Sequence, residues 1–102
     1  MAHRPTLERW TALLRPLFPA HAETQLRPRL GELRFRWPPR RAVAIFIAPN
    51  AISDYRNAPH ATQSTADRNL LEFVKANLSL LNEDHRGEFK IVVASIDFVP
   101  LR

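Results

Sequence analysis

Six arginines fall between positions 27 and 41: Arg27, Arg29, Arg34, Arg36, Arg40 and Arg41. Only Glu32 opposes them, so this segment carries a net charge of +5. Residues 1–26 sum to +1 and residues 42–102 to −1, so the segment equals the formal charge of the whole chain, +5. A guanidinium group is a planar fork of donors that matches carboxylates and phosphates and stacks on aromatic rings. Binding of an acidic protein surface or of nucleic acid is the chemistry such a cluster could do. Two plainer readings compete. The arginines could be a solvated strand face that blunts edge pairing, or the face could be buried by self-association. The chain has thirteen Arg and two Lys. GC-rich coding explains that choice of base but not its clustering.

Catalytic and metal chemistry finds little to work with. Cysteine is absent, which removes disulfides, thiolate metal sites and cysteine nucleophiles. His3, His21, His60 and His85 stand singly, with no HxH, HxxxH or HExxH spacing to place two ligands on one face. They read as surface histidines. Ser53-Asp54, Ser64, Asp84-His85 and Asp97 are the remaining polar candidates, and there is no GxSxG elbow and no phosphate-binding loop. Ser64 reads as a helix cap, Asp84-His85 as a turn, and Asp97 as an exposed residue or a structural ion pair. Only Gly31 and Gly87 could supply glycine turns, too few for a phosphate cradle. The Gly-aromatic signature of RNA-recognition sheets and the GXXG loop of KH domains are also missing. Asn77-Leu78-Ser79 matches a glycosylation sequon but falls inside an expected helix. No cofactor and no enzymatic activity are expected.

The elements that must present the arginines follow from periodicity. Leu7, Trp10, Leu14, Leu17 and Phe18 predict an amphipathic helix over 6–18, capped by Thr6, kinked or shortened by Pro16 and ended by Pro19. Residues 19–29 are a proline-punctuated connection, with room for a short helix or strand at Glu23–Leu26. Residues 30–37 alternate: Leu33, Phe35 and Trp37 face the core, and Glu32, Arg34 and Arg36 face solvent. Pro38-Pro39-Arg40-Arg41 turns the chain into a second strand, 42–48, apolar on both faces. Phe46 or its neighbours could share the open face with the arginines. Asn50 could cap a short helix to Tyr55, which Pro59 would end, with a loop to 63. Ser64 and Asp67 then open a helix over 64–81 with Leu70, Leu71, Val74, Leu78 and Leu81 as its stripe. Asp67 is placed largely opposite that stripe. A turn at 82–87 leads to a third strand at 88–99.

The result is one α+β domain over 1–102 in two layers: order α-β-β-α-β, a three-stranded sheet with a β-hairpin, and two helices on one face. Strand order 1-2-3, with the last pair parallel, is preferred to 2-1-3. No apolar run reaches membrane-spanning length, and Glu8, Arg9 and Arg15 interrupt the first apolar stretch. A cytoplasmic chain with no membrane contact is expected. The dominance of Arg over Lys, the dipeptides Arg4-Pro5, Arg15-Pro16 and Arg27-Pro28, and the compact element order resemble the small α+β proteins of unknown function of GC-rich proteobacteria such as Burkholderia. That resemblance implies no activity and no residue role. The expected function is a non-enzymatic interaction module whose Arg-rich hairpin contacts an acidic protein or nucleic acid. The alternative is a homo-oligomeric structural protein that buries its open sheet face.

Overall fold

The structure, a computed structural model, describes residues 3–81 and 87–95. Pro5 sits in the first turn of α1 (Arg4–Leu14), where its missing N–H costs nothing. The helix therefore starts before Thr6, which lies inside it and makes no capping bond. Pro16 shortens it as expected, and residues 15–17 tighten into a 3-10 turn. Leu7, Trp10 and Leu14 are fully buried.

Four strands form one sheet in the order β1-β2-β3-β4. They are β1 (Glu23–Arg27), β2 (Glu32–Trp37), β3 (Arg41–Ile47) and β4 (Gly87–Val93). The first three run antiparallel, and β3 and β4 run parallel. The preferred order of the three expected strands is therefore the observed one, with a fourth strand added at the β2 edge. β1 carries no apolar alternation and is exposed at four of its five residues, so periodicity offers no signal for it. β4 stops at Val93. The expected extension to 99, with Asp97, and the turn containing Asp84-His85 lie outside the described residues.

Between β2 and β3 the loop is Pro38-Pro39-Arg40. Arg40 adopts a left-handed backbone (φ 62°), the conformation with which a three-residue hairpin loop commonly ends. The Gly87 N–H donates to its carbonyl at 2.7 Å and ties the hairpin tip to the start of β4. Gly31 also has positive φ (64°), and a Cβ there would collide with the Ile47 carbonyl oxygen. The same contact is used constructively, since the Ile47 N–H donates to the Gly31 carbonyl at 2.8 Å.

The crossover to β4 contains two helices. Pro49 occupies the first turn of α2 (Pro49–Asn57), so Asn50 is inside the helix and caps nothing. Pro59 ends α2's path but initiates α3 (His60–Leu78), four residues before the expected start. Ser64 is consequently an internal residue. Leu70 and Val74 are buried, and Leu78 and Leu81 pack only partly against the core, Leu81 beyond the helix end. Register places Leu33, Phe35, Val43, Ile45, Ile47, Ile91 and Val93 on one sheet face. They form a single buried cluster with Trp10 of α1, Ile52 of α2 and Leu70 of α3. Three helices thus cover one face, where two were expected.

Candidate interaction site at the hairpin end of the sheet

The uncovered face carries Glu23, Gln25 and Arg27 of β1, then Glu32, Arg34 and Arg36 of β2. It continues with Ala42, Ala44 and Phe46 of β3, and Glu88, Lys90 and Val92 of β4. The period-two reading of β2 holds. Leu33 and Phe35 are fully buried, Trp37 is half-buried against Phe18, and Arg34 and Arg36 lie on the open face.

Most of these charges answer one another. Arg34 Nη2 lies 3.1 Å from Glu32 and 2.6 Å from Glu88. Arg36 lies 3.3 Å from Glu23, Arg27 3.7 Å from Glu32, and Lys90 3.9 Å from Glu88. Glu32 corrects the sequence expectation of a solvated acid. It is on the open face, but only 1% exposed, because Arg27 and Phe46 flank it across the strands and Arg34 lies beside it. The long stems of arginines cover such a carboxylate while their heads stay wet.

The six arginines of the 27–41 segment therefore divide. Arg34, Arg36, Arg40 and Arg41 line a concavity of about 710 Å³ at the hairpin end, with Trp37 and Pro38 as its apolar wall and Glu23 and Glu88 at its acidic points. Arg27 joins Arg34 and Arg36 in a smaller neighbouring concavity of about 370 Å³ along β1. Arg29 lies in the turn at 28–30, exposed and lining neither. Among the described residues Arg40 and Arg41 have no acidic partner, and the Arg41 Nε is buried with no acceptor. Exposed Arg40 thus offers its donors to the concavity, whereas the Arg41 Nε is closed to solvent.

Of the other residues singled out in the sequence, His21 lines the larger concavity, and His60 is exposed on α3. His3 precedes α1, half-buried, its Nδ1 without a partner. His85 lies outside the described residues. No group of three His, Cys, Asp or Glu residues able to hold a metal exists among the described residues, and no helix there is long and apolar enough to cross a membrane.

Sequence reasoning missed Asp67. Its carboxylate accepts from Tyr55 OH at 2.7 Å, Arg9 Nη2 at 2.7 Å and Trp10 Nε1 at 3.1 Å, joining all three helices. Burial first, then the hydrogen bond and charge of Asp67, push the Tyr55 phenol up to about 12. The same carboxylate raises the Arg9 guanidinium above its ordinary value through its hydrogen bond and charge. A signal was present: Asp67, Leu70 and Val74 are spaced i, i+3, i+7, which puts the acid on the buried stripe rather than opposite it.

Set against family models, curated proteins and solved structures, the chain matches none.

Proposed function

We propose that the domain is a non-enzymatic interaction module that receives an acidic protein segment in the hairpin-end concavity. The observation that carries this is that Arg36, Arg40 and Arg41 line one concavity with Trp37, and that Arg40 and Arg41 have no carboxylate partner among the described residues. Arginine and tryptophan in a concave site are the residues that dominate protein-binding hot spots. Protein is favoured over nucleic acid by the interleaved acids. A phosphate backbone laid across the open face would meet Glu23 and Glu88 as well as the arginines, whereas a protein can place its carboxylates selectively. The homo-oligomer alternative receives less support, because burying this face would desolvate its ion pairs, a cost their attraction often fails to recover.

Arg36→Gln/Arg40→Gln/Arg41→Gln tests the reading while leaving Arg34 in its ion pairs. A labelled oligoglutamate peptide containing one tryptophan and a single-stranded oligonucleotide are titrated at low and physiological salt. Peptide binding by the wild type, lost in the triple variant, is the expected result. Tighter oligonucleotide binding with a steep salt dependence would replace the protein partner by nucleic acid. Equal peptide binding by both chains would remove the site.

A further inference from the structure

We infer that a separate concavity, where α1, α2 and α3 meet, binds a small oxyanion of phosphate size. It measures about 270 Å³ and is lined by Pro5, Thr6 and Arg9 of α1, Tyr55 and Arg56 of α2, and Gln63 of α3. It shares no residue with the hairpin-end site.

Three features point to an anion. No carboxylate lines the concavity, and two arginines do. Arg56 is exposed and has no acidic partner among the described residues. Arg9 is fixed in place, because one of its terminal nitrogens is held by Asp67 at 2.7 Å. A guanidinium has five N–H donors, so this anchoring leaves others for a ligand. Asp67 stands behind Arg9, and its charge is met by donors from Arg9, Trp10 and Tyr55.

The second feature is Thr6. It is only 7% exposed, it lines the concavity, and its hydroxyl makes no hydrogen bond among the described residues. The hydroxyl is open to the concavity rather than sealed from it, and it is free to donate to a ligand there. The third is the start of α1, which has no capping side chain and no acid in its first turn. Its partial positive charge is therefore uncompensated, and an anion is the complement. Gln63 commits its amide nitrogen to the Tyr55 carbonyl at 2.8 Å, so the donors for the ligand come from the arginines and Thr6.

The test is calorimetric titration at low ionic strength, with inorganic phosphate in one arm and acetate in the other. Saturable one-to-one binding of phosphate, weaker for acetate, is expected. Arg56→Gln should weaken it about tenfold, the factor that corresponds to one charge-assisted hydrogen bond. Thr6→Val, which keeps the side-chain shape, should weaken it several-fold, and should it disturb the fold, Arg56→Gln at its exposed position carries the test alone. Arg68→Gln, an exposed arginine that lines neither concavity, should bind phosphate as the wild type does. Absence of saturable phosphate binding would overturn the proposal. So would wild-type affinity in Arg56→Gln, or tighter binding of acetate than of phosphate.

Discussion

Arg34 of β2 and Glu88 of β4 meet at 2.6 Å although β3 lies between their strands. The pair passes over Ala42 and Ala44, which face the same side, and Ala44 is completely covered. Neighbouring strands lie about 4.8 Å apart, so only long side chains over short ones can close this span. Ala44→Leu should break the pair by occupying the space beneath it. A thermal transition unchanged from the wild type, together with an unchanged salt dependence of stability, would contradict that.

Arg34 also compensates Glu32, whose carboxylate is nearly sealed from solvent. Arg34→Ala should therefore destabilise the domain, by less than the roughly 3–5 kcal/mol of a wholly unpaired buried charge, because Arg27 still reaches Glu32 at 3.7 Å. The double change Arg34→Met/Glu32→Met should cost much less than the single one. Urea unfolding of the three chains decides it, and equal losses in single and double variants would show that Glu32 needs no compensation.

Tyr55 is the only tyrosine in the chain, so tyrosinate absorbance reports it alone. Its midpoint should lie at about 12 rather than 10. Because the folded-state value is raised, the associated stability is present in full below pH 10 and is lost as pH rises through about 12. That difference corresponds to roughly 2–3 kcal/mol. Tyr55→Phe should flatten the alkaline fall in stability, and a midpoint at the ordinary phenol value would mean that Asp67 does not hold the hydroxyl.

Leu70 is fully buried, whereas Leu78 is only partly so. Leu70→Ala should cost about 2–5 kcal/mol, and Leu78→Ala distinctly less. Chemical denaturation of both orders them, and a larger loss at Leu78 would place the end of α3 deeper in the core than its exposure indicates.

Arg40 holds a left-handed backbone that glycine adopts more readily. Arg40→Gly should leave stability equal or raise it by up to about 1 kcal/mol, while weakening acidic-peptide binding. Loss of stability in Arg40→Gly would instead show that the arginine side chain supports the hairpin.

The alternating residues of β2 were legible because period two admits only two registers, and the apolar set of Leu33, Phe35 and Trp37 fits just one. The β2–β3 hairpin and the parallel β3–β4 pair follow from the double-proline turn and the long helical crossover. β1 was not legible. Its residues are polar, and its place at the edge depends on hydrogen bonds to β2 rather than on any pattern of its own. The start of α3 was misplaced because Ser64 offered a local cap, while Pro59 supplied the actual entry to the helix. The arginine cluster was visible as charge, but its division was not. Glu23 lies just before it in sequence and Glu88 far beyond it, and both reach Arg36 and Arg34 only through strand pairing.

Glu88 belongs to β4, which joins the sheet by way of α2 and α3. During synthesis the ribosome releases the whole arginine hairpin long before that carboxylate emerges. Until β4 docks, Arg34 has only Glu32 to neutralise it, and the edge of β3 that β4 will pair with stands open. The hairpin thus lacks one of its carboxylates, and the sheet one of its strands, in the same interval. Docking of the last strand closes both exposures at once.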